Sequence, residues 1–287
     1  MTPTGARDGQ DERLWRSRFE PIRARAEQWR TLSSKMIRPE RNSSLWADDQ
    51  ALPYHPVSQI VWSSIITAAE HIDFFASALH ATRTVRPSGY FPVARTALIT
   101  SARAVWLLTP PRHERQKRGI RLAFEEARQT RNFANEVSEA LRRDGAARAL
   151  DPEEEKIRTA AQSWAKRYGE RMDEIAEVGK ARFGLTDTAF KYPPGDTDVI
   201  AEAATQLPPD TDPWIRRSFR LSWRTLSGDS HGYRWSSLLR RREVVPGAED
   251  EVFIRVQASL EELVVTITAP WLLTERALEL YQKRSRR

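Results

Sequence analysis

Apolar residues recur at three- and four-residue spacing along almost the whole 287-residue chain, and this period constrains the fold more than any other feature. Such spacing places apolar side chains on one face of an α-helix. It predicts helices over residues 12–36, 57–82, 91–108, 112–143, 198–207, 214–226, 235–241 and 260–284. A further helix is predicted to start after 143, with Asp151 as its N-cap and Pro152 at its first position. Residues 252–256 resemble a strand, but one strand makes no sheet. We therefore predict an all-α fold, a helical bundle with a charged antiparallel helical hairpin.

Proline and other turn-forming residues set the predicted boundaries. Pro21 is expected to kink or split the first helix, and Pro270 to break the last one. Residues 38–56 are rich in turn formers, and residues 1–11 have the composition of a frayed tail. We predict an N-terminal helix and turn-rich linker over 1–55. A helical bundle would follow over 56–287, with the charged hairpin at about 112–180.

Several classes of protein and site are disfavoured by composition. The chain has no cysteine, which excludes disulfides, thiolate zinc sites and cysteine nucleophiles. Residues 1–12 lack the apolar stretch of a signal peptide, and residues 260–273 are too short and too charged to cross a bilayer. We expect a cytoplasmic protein without a membrane partner. His71 and Asp73 point to different sides of their predicted helix. With His80 they make a poor metal site, so no metal and no cofactor is predicted.

Positive charge is concentrated late in the chain, which carries a formal net charge of +7. Before Glu243, one acid, Asp229, accompanies the arginines of residues 216–242, which are Arg216, Arg217, Arg220, Arg224, Arg234, Arg240, Arg241 and Arg242. Guanidinium groups bind phosphate oxygens bidentately, so the cluster suits a polyanion. The alternative is a solvated helix face paired with acids from elsewhere. Two earlier arginines, Arg95 and Arg103, either reach the surface or point at a polar site.

The segment from Arg224 to Trp235 interrupts a predicted helix with small and polar residues. Gly228 is unfavourable within a helix, and Asp229 or Ser230 is suited to cap a new one. His231 would then lie in a first helical turn beside free N–H groups. That position favours a neutral imidazole able to accept a proton. The same N–H groups, with Arg224, would form a phosphate-sized anion pocket.

A base beside an arginine-lined phosphate pocket is what metal-independent RNA cleavage requires. His231 would take the 2′-hydroxyl proton, and Arg224 would stabilise the charge that develops on the phosphate. The predicted substrate contacts, including aromatic rings that can stack on bases, are Arg220, Ser227, Asp229, Ser230, Tyr233, Arg234 and Trp235. In the structural alternative, His231 donates to a backbone carbonyl, and Ser227 and Asp229 only cap helices.

The segment from Arg224 to His231 resembles the R-x4–6-H motif of the HEPN (higher eukaryotes and prokaryotes nucleotide-binding) superfamily. These are all-α proteins, many of them metal-independent RNases of toxin–antitoxin, abortive-infection and CRISPR systems. Residues 227–232 are also similar to a Ser-Gly-x-x-His-Gly element of uncharacterised actinobacterial helical proteins. The resemblance is loose over residues 56–239 and specific at 224–232. It implies that Arg224 stabilises phosphate and His231 is catalytic. It also implies a homodimer, or an antitoxin-like protein partner that covers the site.

One position departs from that pattern, and alternative functions stay open. Ile99-Thr100 stands where related helical proteins often carry an acid. If that acid organises the site, the chain binds RNA without cutting it efficiently. The first hypothesis is therefore a HEPN-like endoribonuclease or RNA-binding relative in phage defence or stress. The second is a non-catalytic helical protein–protein interaction module that uses the charged hairpin. DNA binding by a helix-turn-helix at 214–242 is least favoured, because its tryptophan-rich flanks read a groove poorly.

Overall fold

The computed structural model describes residues 4–52, 55–82, 85–237, 240–246 and 252–287. The fold is all-α, as predicted, with one small pair of strands. The elements are α1 (Thr4–Trp29), α2 (Ser44–Asp49), α3 (Val57–Thr82), α4 (Pro87–Leu108), α5 (Arg112–Ala147), α6 (Pro152–Phe183), α7 (Asp187–Lys191), α8 (Asp196–Ala204), α9 (Pro213–Ser230), β1 (Arg241–Pro246), β2 (Val252–Gln257) and α10 (Leu260–Ser285). Within the described ranges, no helix combines the length and apolar character needed to traverse a lipid bilayer.

The predicted lone strand has a partner. β1 and β2 pair antiparallel, with Val244 opposite Ile254 and Val245 opposite Phe253. Val244, Val245 and Pro246 belong to β1, which the apolar period did not predict. Both segments are rich in β-branched residues, which favour strands once a partner is present.

Both prolines that were expected to interrupt helices lie inside continuous ones. Pro21 lies within α1 and Pro270 within α10, so the predicted break at Pro270 was wrong. Proline removes one backbone donor, but tertiary packing can outweigh that loss. Pro270 is itself buried, and α10 packs against α4, α1 and α9. The prediction that residues 1–11 form a frayed tail was also wrong in part, because α1 begins at Thr4.

The first of two compact units contains residues 1–45, 61–109 and 195–287. α4 is its central helix and packs against α8, α9 and α10. One face of α4 is closely packed, and its residues Phe91, Leu98 and Val105 are almost fully buried. Pro87 begins this helix, four residues before the predicted start at residue 91. α1 also belongs to this unit, rather than to a separate segment over 1–55.

The second unit contains residues 46–60 and 110–194. α5 and α6 pack against each other and form the charged hairpin, here called the hairpin. As predicted, Asp151 caps α6: its carboxylate accepts the N–H groups of Glu153 and Glu154, and Pro152 follows at the first helical position. A buried ion pair joins Arg115 Nε to Asp48 Oδ2 at 2.6 Å, with both side chains almost fully enclosed.

Candidate functional site

The predicted interruption at Gly228 does not occur. α9 runs from Pro213 to Ser230 without a break, so Asp229 and Ser230 lie in its last turn and do not cap a new helix. The helix closes with Gly232 at φ 69°, a left-handed conformation that favours glycine. Tyr233 N–H donates to the Gly228 carbonyl at 2.9 Å, and Gly232 N–H donates to that of Asp229 at 3.1 Å. This pair of bonds is a Schellman C-terminal motif.

Gly228 allows a neighbouring segment to pack closely against α9. This role explains why the predicted helix interruption at Gly228 was wrong. A Cβ atom at this position would lie 2.7 Å from Trp235 Cζ2 and 2.9 Å from Ser236 Cβ. Those residues form a 3₁₀ turn, Arg234–Ser237, that folds back onto the end of α9. Position 228 therefore requires glycine because Trp235 and Ser236 pack against it. The residues next to Gly228 in the sequence do not reveal that contact.

His231 follows the C-terminus of α9 instead of beginning a helix. Its N–H donates to the Ser227 carbonyl at 3.2 Å. A helix C-terminus presents carbonyl oxygens, and its dipole attracts cations rather than anions. The predicted anion pocket of free N–H groups at His231 was therefore wrong. An anion at this surface must be bound by side chains.

Three arginines of α9, and the histidine that directly follows it, lie in one narrow sector around the helix axis. At about 100° per residue, Arg217, Arg220, Arg224 and His231 fall within roughly 60° of one another. We call these four residues the α9 stripe. Arg224 and His231 are seven residues apart, hence about two turns or 10.5 Å along the axis. All four side chains are exposed. The opposite flank, with Phe219, Trp223 and Leu226, is buried.

The stripe carries positive charge without local compensation. Neither Arg220 nor Arg224 forms an ion pair or side-chain hydrogen bond within the described part of the chain, and Arg217 Nε donates only to its own helix, to the Pro213 carbonyl at 3.4 Å. The one acid within α9 is Asp229. Arg241 and Arg242 belong to β1, but the structure describes only the backbone at these two positions.

Asp229 is engaged by a buried network rather than directed at solvent. Arg240 binds both of its carboxylate oxygens, at 2.8 and 2.6 Å, and also donates to Glu262 at 2.6 Å. Ser236 Oγ lies 2.7 Å from Asp229 Oδ1. Burial opposes the charge on Arg240, but the two carboxylates outweigh it and raise its pKa. Asp229 thus anchors the segment after α9, and its side chain is only 7% exposed.

The hydroxyl groups of Ser227 and Ser230 both form hydrogen bonds within the protein. Arg95 of α4 donates to Ser227 Oγ at 3.1 Å, and its guanidinium stacks over the Trp223 ring at 4.5 Å. Arg95 therefore points at α9, whereas Arg103 pairs with Asp196 at the surface. Ser230 Oγ donates to the Leu226 carbonyl at 2.8 Å.

Two exposed aromatic rings follow the stripe. Tyr233 is 59% exposed and Trp235 48% exposed. The His231 and Tyr233 rings lie 5.9 Å apart between centroids. Arg234, between the two aromatics, is also exposed. Flat apolar rings left in water beside cations can stack on bases, a recurring feature of single-stranded nucleic-acid sites.

The histidine and acid pair of α3 has other partners. His71 Nδ1 lies 2.8 Å from the Thr67 carbonyl, and Asp73 pairs with Arg30 at 2.9 Å. Searching the described ranges for three or more histidine or acidic side chains that could hold a metal ion finds no such group.

Two residues of this surface were missed by sequence reasoning. Arg217 was not among the predicted site residues, although its seven-residue spacing from Arg224 was a usable signal. Arg95 was noticed, but its direction depends on how α4 and α9 pack, which spacing within one helix does not reveal.

Sequence and structure comparisons were made against three sets: protein-family models, curated proteins and solved structures. None of them yields a match to this chain. The likeness to the HEPN superfamily thus stays a prediction that rests on residues 224–232, and function has to be argued from the surface itself.

Proposed function

We propose that this protein binds RNA through the α9 stripe and the aromatic rings that follow it. Arg217, Arg220 and Arg224 would contact phosphates, and Tyr233 and Trp235 would stack on bases. One observation carries the proposal. Exposed arginines share one sector of α9 and have no acidic partner in the described part of the chain. A face of this kind retains its field for a polyanion.

Affinity for labelled single-stranded RNA, measured by fluorescence anisotropy over a series of salt concentrations, tests the proposal. Arg220→Gln/Arg224→Gln should weaken binding about tenfold or more and reduce the salt slope by about 1.4, or about 0.7 for each lost phosphate contact. The matched control is Arg142→Gln/Arg143→Gln on α5, where both exposed arginines already pair with Glu139. Equal losses in the two double variants would contradict the proposal.

Cleavage is proposed as a further property of the same surface. Arg224 and His231 lie on one side of α9, so both can face one RNA segment. The His231 ring, however, has no hydrogen bond to orient it from any described residue, and Ile99-Thr100 supplies no acid. We therefore expect binding to exceed cleavage. Incubating total RNA with the protein in EDTA tests this, with His231→Ala compared against the exposed His80→Ala. Cleavage that survives His231→Ala excludes the mechanism.

A second candidate function is that of a helical interaction module. It is favoured by large apolar side chains on the outside of the hairpin: Phe133 is 60%, Ile157 52% and Trp164 50% exposed. The partner that we propose is a second copy of this chain. Sedimentation equilibrium should then show a dimer that Phe133→Ser/Trp164→Ser dissociates. A wild-type monomer at high concentration would rule this partner out.

A further inference from the structure

A cavity of about 760 Å³ lies in the first unit between α1, α9 and α10. Each helix contributes apolar residues to its wall, among them Ile22, Phe219 and Val264, which are almost fully buried. Binding sites for small molecules occupy about 300–1,000 Å³ and are lined mainly by apolar side chains. This space therefore has the size and the lining of a ligand site.

The cavity is open to a ligand from solvent. Two of its lining residues, Ile215 and Val265, are 36% and 48% exposed, although both are apolar. Apolar surface in contact with water gains free energy when another apolar group covers it. An apolar ligand body would provide such cover.

Two polar groups of the lining are donors without an acceptor among the described residues. The Trp271 indole N–H is buried and meets no hydrogen-bond partner in the part of the chain that the structure describes. Arg18 is exposed and stacks over Trp15 at 4.6 Å, and no described acid pairs with it. The hydroxyl groups of the lining donate instead to helix carbonyls. No lining residue is an Asp or Glu.

We propose that this cavity binds an amphipathic small molecule with an apolar body and a single carboxylate. Arg18 is the exposed cation of the lining, and a guanidinium group pairs with a carboxylate. The Trp271 N–H is a second donor of the lining that no described acceptor satisfies. A medium-chain fatty acid and an aromatic carboxylate both have this chemistry. A hydroxyl head group can accept a hydrogen bond but has no charge to pair with Arg18, and a cationic head group would be repelled by it.

The cavity is separate from the α9 stripe. Its α9 residues, Ile215, Ser218 and Phe219, lie at about 100–200° from Arg217 around the helix axis, whereas the stripe lies at about 300–360°. The two surfaces thus occupy opposite flanks of α9. Carboxylate binding does not depend on RNA binding, and either proposal can fail without the other.

Head-group selectivity tests the proposal on the full-length protein. The probe is the fluorescence of anilinonaphthalene sulfonate, displaced by decanoate, decanol, decylamine or naphthoate. Decanoate should displace the probe at a concentration about tenfold lower than decylamine, because one charge–charge contact changes sign. Comparison of decanoate with naphthoate distinguishes the fatty acid from the aromatic source. Equal displacement by all four compounds, or none, would overturn the proposal.

Three variants locate the binding. Val265→Trp should fill the exposed mouth and weaken decanoate binding, and Arg18→Gln should weaken decanoate but leave decanol unchanged. The matched control is Arg16→Gln, two residues away on α1, where the native arginine already pairs with Glu12. Melting temperatures establish that each variant is folded, which is expected because Val265 and Arg18 are exposed. Unchanged decanoate affinity in both cavity variants would place the ligand elsewhere.

Discussion

Arginines of the hairpin and arginines of α9 are equally conspicuous in the sequence but stand in opposite situations. On the hairpin, Arg118, Arg142 and Arg158 each pair with a glutamate three or four residues away. α9 contains one acid, Asp229, and Arg240 binds it from outside the helix. The spacing of acids, not the density of arginine, decides whether a helix face offers free cations.

This difference concerns function more than stability. Exposed pairs three or four residues apart stabilise a helix by only about 0.3–0.5 kcal/mol each. They do neutralise the local field, however, and a neutral face has little attraction for a polyanion. The hairpin can therefore be rich in arginine and remain a weak nucleic-acid surface, whereas the α9 stripe keeps its field.

The largest expected effect comes from the most enclosed paired cation, Arg115 of α5. Arg115→Met leaves the buried Asp48 with the exposed Arg112, whose Nε lies 3.9 Å from Asp48 Oδ1, in place of its close partner. Breaking a buried pair costs about 3–5 kcal/mol. Urea denaturation measures the loss. Asp48→Leu/Arg115→Met should recover most of it, because no buried charge then remains. If Arg115→Met is as stable as wild type, the pair is not enclosed as described.

A second effect concerns the end of the α9 stripe. Gly228→Ala puts a methyl group against Trp235 and Ser236. Overpacking costs about 1–3 kcal/mol, and alanine regains about 1 kcal/mol in helix propensity, so the free energy of unfolding should fall by about 0–2 kcal/mol. The control is Gly169→Ala on α6, where the nearest atom, Arg131 Cδ, is 3.9 Å away. That variant should be slightly stabilised. Equal outcomes would show that Trp235 does not pack on Gly228.

The same glycine shows where local sequence rules fail. Gly228 has the residue type of a helix break, and Asp229 and Ser230 have those of an N-cap. Their use depends instead on Trp235, Ser236 and Arg240, which fold back onto α9. The positive charge and the seven-residue spacing of the site could be predicted. That His231 follows the C-terminus of a helix, and does not lie at the N-terminus of one, could not.

Elements fixed by local patterns were predicted well. α3 has the predicted bounds, Val57–Thr82, because its apolar period is long and uninterrupted. The cap of α6 follows from Asp151 and Pro152 alone. Elements that depend on a partner outside their own segment were missed: β1 pairs with β2, and Pro270 lies buried in α10, which packs against α4, α1 and α9. The division into units was missed for the same reason, since α1 and α10 lie at opposite ends of the sequence.

A third prediction adds to α9 an acid that can pair with the arginines of the stripe, as glutamates pair with arginines on the hairpin. Leu221 is 56% exposed and lies three residues before Arg224 and four after Arg217. Leu221→Glu would therefore supply the missing acid while every arginine stays in place. RNA affinity should fall about fivefold and the salt slope should decrease, as for a lost phosphate contact. Leu221→Gln is the matched neutral variant and should bind like wild type. Equal weakening by both would mean that Leu221 itself contacts the RNA.

The smallest expected effect tests pairing on the hairpin through pH. A hydrogen bond from Arg142 is the largest cause that lowers the pKa of Glu139, with Arg143 adding to it, to about 2 from 4.5. Because the folded-state pKa is depressed, this stabilisation is present above about pH 4.5 and lost as the pH falls towards about 2. The melting temperature of Glu139→Gln should thus fall slightly less than that of wild type across this range.

Carbon-detected NMR titration of the Glu139 carboxyl group measures the same pairing directly. In Arg142→Gln/Arg143→Gln the pKa should return towards 4.5, whereas Arg158→Gln, whose partner is Glu155, should leave it unchanged. A Glu139 pKa that stays low in the double variant would mean that these arginines are not neutralised by Glu139. The hairpin would then present free cations as α9 does, and arginine pairing could no longer explain why only one of the two faces is proposed to bind RNA.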